Sequence, residues 1–412
     1  MIEARSENRI DIKRILESES VIAHFQPIIS LRRKVSVGME ALCRGFSPNS
    51  DELIPPKILF KSAEEQGLLL ELDRLCRRKA FESFKIINDM HSGYLFFVNI
   101  STSLVDHGVV GSNFIRDLAH EFSINPGNIV IEIIESRVKN LSELKRFTKN
   151  YKEFGFLIAV DDIGSGDSNL SRIHLLEPDI LKIDMSIIRG LDKEYYKQEI
   201  FRSIKGLSKK IGALVVAEGI ESAEEALKAF ELGADMFQGY FFAKPKQEIE
   251  QKVLFELNDK ISGMSVNYRK RILEKVDSFK QRCKLSNAIT EEIVEKLTHL
   301  PEDFFEGVLL SAMSKYPAVE CFYVLDDRGI QCTETIYNET AVINEKRLIF
   351  QPAPKQSDHS LKDYYLFLKA GMEKYITEDY ISLATGNLCI TISKKFFTCG
   401  KEYILCFDLN AN

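Results

Sequence analysis

The chain has 412 residues, 45% of them hydrophobic, and a formal charge of −6 at pH 7. That length leaves room for two or three domains with ordinary globular cores. The acid surplus argues against a nucleic-acid polymer as partner, which would favour a basic stripe.

The opening MIEARSENRIDIKRILESES is charged throughout and lacks the apolar core of a secretory signal. Short apolar runs then alternate with longer helical stretches: HFQPIISL (24–31), KVSVGMEAL (34–42), GYLFFVNI (93–100), NIVIEII (128–134), GFLIAVDD (155–162), DILKID (179–184), ALVVAEG (213–219) and DMFQGYFF (235–242). Continuous apolar runs fit strands buried on both faces. The turn SLRRK is too short for a crossover helix, so the first two strands should be antiparallel, whereas the later gaps fit helical crossovers. The prediction for 1–246 is a TIM-like eight-stranded α/β barrel with one reversed strand. Residues 247–315 carry charge with apolar residues at helical spacing and read as a helical connector of one or two amphipathic helices. Residues 316–412 turn β-rich, with turns at Asp-Arg-Gly, Thr-Gly-Asn and Cys-Gly-Lys, and read as a small antiparallel sheet with the helix DYYLFLKAGMEKY packed on it. No window approaches the roughly 18 apolar residues of a membrane span.

Position is the informative feature of the polar residues. Glu40, Asn99, Glu132, Asp161 with Asp162, Lys182 with Asp184, Glu218 and Gln238 all fall at or near C-terminal ends of barrel strands. Such ends converge on one mouth. Five of these carboxylates, Glu40, Glu132, Asp161, Asp162 and Glu218, would repel one another there unless hard divalent cations sat among them. The seven histidines and eight scattered cysteines offer no zinc spacing, and the cysteines read as reduced, mostly buried thiols of a cytoplasmic protein. Two ions about 3.5–4 Å apart can clamp both oxygens of a phosphodiester displacement. Lys182 would then orient or deprotonate the attacking water, and the glycines of GSG would free the next loop to move.

These residues resemble the EAL-domain phosphodiesterases, which linearise cyclic di-GMP to pGpG. The likeness runs over about residues 20–246 and includes Glu40-Ala41-Leu42 itself, QPI at 26–28, VNIS, IEIIES, VDDIGSGDSNL, ILKID, VVAEGIES and FQGYFFAKP. It implies two Mg²⁺ or Mn²⁺ ions, one held by Glu40, Asn99, Glu132 and Asp161, the other by Asp161, Asp162 and Glu218. It implies catalytic roles for Lys182, Glu40 and Gln238, and for Glu135 and Glu221. It implies substrate contacts by Gln26, Leu42, Arg44, Asp184 and Pro245. It also implies a homodimer. The family's E-L-T-E has Ile134 for its threonine here, and its T-G-Y-S-S-L reads SGDSNL, with Asp167 for tyrosine. Two readings follow: an active phosphodiesterase, or a silent barrel that binds cyclic di-GMP and signals. The C-terminal region resembles PAS-like, Cache-type sensor modules, which implies either a small cytosolic ligand or a purely dimerising role. Asp363, Tyr364, Tyr365 and Tyr380 are its candidate pocket residues.

Overall fold

The eight apolar runs of the first half form the staves of a closed barrel in the computed structural model, which describes residues 10–46, 53–101, 113–133, 140–165, 173–248, 251–339 and 351–410. In chain order the strands are β1 (Val21–Ser30), β2 (Val35–Phe46), β3 (Leu53–Ile54), β4 (Leu95–Asn99), β5 (Ile129–Ile133), β6 (Leu157–Ile163), β7 (Ile180–Ile183), β8 (Leu214–Ala217) and β9 (Met236–Phe237). Pairing runs β1-β9-β8-β7-β6-β5-β4-β2 and closes through β1–β2, with β3 appended to the end of β2. As expected from the short turn, β1 is antiparallel to β2, and it is antiparallel to β9 as well. The remaining barrel pairs are parallel. The eighth run is shorter than the predicted 235–242. After Phe237 the backbone leaves the sheet, and the Phe241 amide donates to the Ile220 carbonyl at 3.0 Å instead of to a strand. Gly239 permits this approach, because a Cβ there would stand 2.1 Å from the Ile220 oxygen.

One apolar side chain from each stave fills the barrel interior: Ile28, Val37, Phe97, Val130, Ala159, Ile180, Val216 and Met236. Successive strand residues face opposite sides, so the residue two positions on shares the interior face. Two positions beyond Phe97, Val130, Ala159, Ile180, Val216 and Met236 stand Asn99, Glu132, Asp161, Lys182, Glu218 and Gln238. On the reversed strand the step runs backward, from Ile28 to Gln26. On β2 the partner of β1 jumps from Gly38 to Ser36, an irregularity that corrects the parity between Val37 and Glu40. A greasy plug thus carries a polar layer directly above it.

The outward faces of the strands pack on helices. Helix Leu69–Met90 lays Ala80, Phe81, Phe84 and Ile87 against the barrel, and Phe84 stacks on Phe96 at 4.1 Å between ring centroids. Helix Gln251–Thr298 is a single element of 48 residues. It gives Leu257, Ile261 and Met264 to the barrel's core and Ile289, Ile293 and Leu297 to a second core. The chain divides into compact units Met1–Arg271 and Ile272–Asn412.

The second unit is a small antiparallel sheet. Strands β10 (Val319–Asp326), β11 (Ile336–Tyr337), β12 (Lys374–Ile376), β13 (Tyr380–Ile381), β14 (Leu388–Thr398) and β15 (Lys401–Asn410) are ordered β11-β10-β15-β14-β12, with β13 also on β14. The β14–β15 hairpin turns through Cys399 and Gly400, both at positive φ (49° and 74°), the conformation a tight two-residue turn needs. One face packs on helices, including Phe305 and Leu309; the other packs on helix Asp363–Lys369 through Tyr364, Tyr365 and Leu368. The cysteines are free thiols, most of them buried, and among the described residues no helix is long and apolar enough to cross a membrane.

Replacing Phe84 by Ala removes a buried ring from the helix–barrel seam and is expected to lower stability by about 3–5 kcal/mol, read by urea unfolding.

Candidate active site

Lys182 lies at the centre of the polar layer, 1% exposed. Its Nζ touches Glu132 and stands 2.6 Å from Glu218 and 3.6 Å from both Glu40 and Asp161. Glu40 is braced from two sides: Asn99 Nδ2 donates to its Oε1 at 2.9 Å and Gln238 Nε2 to its Oε2 at 2.6 Å. Gln238 also donates to Gln26 Oε1 at 3.1 Å, and Gln26 donates to the Ala243 carbonyl at 3.0 Å. Eight of the predicted residues, Gln26, Glu40, Asn99, Glu132, Asp161, Lys182, Glu218 and Gln238, thereby enter one hydrogen-bonded and ionic cluster at the mouth.

The paired aspartates need a departure from regular strand geometry, since neighbours on a strand face opposite ways. The β6–β7 register shifts between Val160 and Ile163, and Asp162 adopts φ 57°. This bulge turns both carboxylates toward Glu218, so that one oxygen from each of Asp161, Asp162 and Glu218 lies within 4.8 Å of the others. The Asp162 amide donates to Asp161 Oδ1 at 2.9 Å, which holds the first carboxylate in place.

Four carboxylates around one ammonium leave a formal charge of three negative in a desolvated space. Burial, then repulsion from Glu40, pushes the Glu132 carboxyl well above its ordinary range. Burial and Asp161 do the same to Glu218. Glu40 is also disfavoured by burial, yet Lys182 and the Gln238 and Asn99 hydrogen bonds hold it below the ordinary range. Burial alone would depress Lys182, but Asp161, Glu132, Glu218 and Glu40 outweigh it and keep the amine protonated well above its usual value. Among the described residues, neither oxygen of Glu132 accepts a well-formed hydrogen bond, the contact with Lys182 being one of charge, and Gln238 Oε1 has no partner. Buried acceptors left open beside clustered carboxylates are the donor set a hard divalent cation takes. The residues fit such ions.

The remaining predicted positions are distributed around this centre. Leu42 and Glu221 line the cavity of about 290 Å³ above Lys182, where Glu221 is ion-paired with Arg189 at 2.6 Å. Asp184 caps helix Met185–Ile188, accepting from the Ser186 amide at 2.9 Å. The Arg44 guanidinium donates to the neighbouring Cys43 carbonyl at 2.9 Å and does not line the cavity. Pro245 also lies outside the lining, one residue before the Phe25–Lys246 bridge on β1. Glu135, Ile134 and Asp167 lie outside the described residues. Two residues escaped the sequence reading: Asp73 and Arg77, a buried ion pair on helix Leu69–Met90. They line a second hollow of about 570 Å³ that shares Glu40 and Leu42 with the first. Their signal was opposite charges four apart, hidden in the charge run LDRLCRRK. Tyr240, whose exposed ring walls the first cavity, was missed too.

The EAL domain model matches residues 9–245, more than half the chain, and the chain belongs to that family. It is 26% identical over 388 residues to the EAL-domain containing protein YkuI of Bacillus subtilis, itself uncharacterized, covering 91% of each chain. The crystal structure of YkuI in complex with substrate c-di-GMP and calcium superposes with a TM-score of 0.80 at 25% identity, over 98% of this chain and 99% of that one. The chain is also 30% identical over 237 residues to the cyclic di-GMP phosphodiesterase PdeR of Escherichia coli, and 28% over 239 residues to PdeA of Borreliella burgdorferi. In both cases 57% of this chain matches 35% of the relative.

Because the folded Glu132 carboxyl is raised above 4.5, the folded state keeps a proton that the unfolded chain has released, and stability falls as pH rises through that interval. Glu132→Gln removes this loss. In chelator, its stability relative to wild type is expected to be higher at pH 8 than at pH 5 by about 1 kcal/mol or more, measured by urea unfolding.

Proposed function

We propose that this chain is a divalent-metal-dependent phosphodiesterase that hydrolyses cyclic di-GMP to linear pGpG. The observation that carries the reading is the buried Lys182 ringed by Glu40, Glu132, Asp161 and Glu218, within a family whose members include proteins named for that activity. Glu40, Asn99, Glu132 and Asp161 would hold one ion, and Asp161, Asp162 and Glu218 the other. When bound, Mg²⁺ or Mn²⁺ lowers the pKa of water and neutralises phosphate charge.

The chain's own groups would position the reactants. Lys182, held as an ammonium, donates a hydrogen bond to the attacking water or to a phosphate oxygen. Gln238 Oε1, buried and without a partner among the described residues, accepts from that water, while its Nε2 keeps Glu40 fixed. Water adds to phosphorus, one bond from phosphorus to a 3′ oxygen breaks, and the departing 3′ oxygen takes up a proton. The two hollows on either side of Glu40 and Leu42 would take the two halves of the twofold-symmetric dinucleotide, with Tyr240 available to a base.

The SGDSNL departure favours a second reading, a receptor that binds without turnover. Following pGpG by chromatography with Mn²⁺, Mg²⁺ or excess chelator decides between them. Metal-dependent product is expected; tight binding of labelled cyclic di-GMP with no product in either metal would select the receptor. Glu40→Ala is expected to reduce turnover by more than the roughly 10–100-fold that loss of a supporting residue costs, with the circular dichroism unchanged. Full retained activity would sink the metal assignment.

A further inference from the structure

The second unit contains a cavity of about 680 Å³, larger than either hollow of the barrel mouth and within the range of small-molecule sites. Its floor is Asp408, 3% exposed. Ser382 donates to one carboxylate oxygen of Asp408 at 2.8 Å and Thr391 to the other at 2.7 Å, with the Tyr380 hydroxyl 2.6 Å from Thr391. The Cys389 thiol also donates to Asp408 at 3.7 Å, so these partners are neutral hydroxyls and a neutral thiol. Among the described residues no Lys, Arg or His forms an ion pair with Asp408. Burial raises its carboxyl above the ordinary range, and the hydroxyl and thiol donors offset only part of that rise. A buried carboxylate of this kind is expensive unless a cation reaches it.

The walls strengthen the case. Tyr364, Phe367, Tyr375 and Tyr380 line the space, and Phe367 and Tyr375 stack at 4.5 Å between centroids. Among the described residues, Asp363, Glu378 and Asp379 add acid at the rim, against a single lysine, Lys362. His359 contributes no charge. Gln331 Oε1, an acceptor, faces Nε2 at 3.0 Å, and the Tyr364 hydroxyl faces Nδ1 at 2.6 Å. The ring is therefore neutral, protonated on Nε2, and burial lowers its pKa to about 4.

From this geometry we propose that the cavity is a binding site for a small organic cation: an amine, primary or quaternary, carrying an apolar body. The ammonium lies toward Asp408, the body against the aromatic walls, whose ring faces also favour a cation. The proposal is independent of the phosphodiesterase reading, because binding is measured directly.

The test is calorimetric titration of the full chain with phenethylamine, choline and 1,5-diaminopentane, against 2-phenylethanol and phenylacetate at equal ionic strength. At least one amine is expected to bind about tenfold or more tighter than the neutral and anionic analogues. Asp408→Asn is expected to weaken that amine by about tenfold or more. Should Asp408→Asn fail to fold, the paired rim variant Glu378→Gln with Asp379→Asn, on exposed residues, is expected to weaken the same amine measurably. Binding of none of the three amines overturns the proposal. So does equal or tighter binding of phenylacetate or 2-phenylethanol, and so does unchanged amine affinity in the folded variants.

Discussion

A lysine withdrawn from water inside a protein must be compensated, because desolvating an ammonium costs several kcal/mol even after relaxation. Lys182 obtains that compensation from Glu40, Glu132, Asp161 and Glu218 on four other strands. The dependence is mutual, since those acids cannot be desolvated together without positive charge among them. The barrel has to bring their strands into register around one point. The apolar plug beneath does this mechanically: six staves enter the polar layer two residues beyond their plug residue, β1 does so two residues before it, and the irregularity on β2 makes up the odd step from Val37 to Glu40, so alignment of the plug aligns the charges.

Strand-by-strand reading recovered the staves, the reversed first strand and nearly all of the central cluster, because each polar residue interrupts an otherwise apolar run. Geometry that depends on a local irregularity was not legible. Nothing in AVDDIG says that the strand bulges there, and without the bulge Asp161 and Asp162 would face opposite sides. The eighth strand was read too long because FQGYFF is apolar enough to continue. What stops it is the close approach of Gly239 to the Ile220 backbone, a tertiary contact. The pair Asp73–Arg77 was invisible for a different reason: in a helix dense with charge, burial separates one ion pair from its neighbours, and burial is not written in the local sequence.

The second unit gave up its turns at once, since Cys-Gly and Asp-Arg-Gly are turn chemistry in themselves, but its predicted helix DYYLFLKAGMEKY ends at Lys369: Gly371 takes φ 110° and Lys374–Ile376 is strand β12. Its cavity was legible only in outline. Asp363, Tyr364 and Tyr380 do line it, whereas Tyr365 turns its hydroxyl to the Asp327 carbonyl at 3.0 Å and belongs to the packing beneath. Asp408 was unremarked because a lone aspartate near the end of a strand carries no local sign of burial. Its burial depends on Ser382 and Thr391, brought in by β13 and β14.

The route by which the chain leaves the barrel has a mechanical consequence. The backbone at Lys246 is clipped to Phe25 by two hydrogen bonds, at 2.7 and 3.0 Å, and Ala243 receives the side chain of Gln26. From Gln26 the linkage passes to Gln238 and then to Glu40. The exit segment is therefore a handle on the reversed strand. Tension applied beyond residue 246 would reach the Glu40 carboxylate of the mouth through two side chains, Gln26 and Gln238.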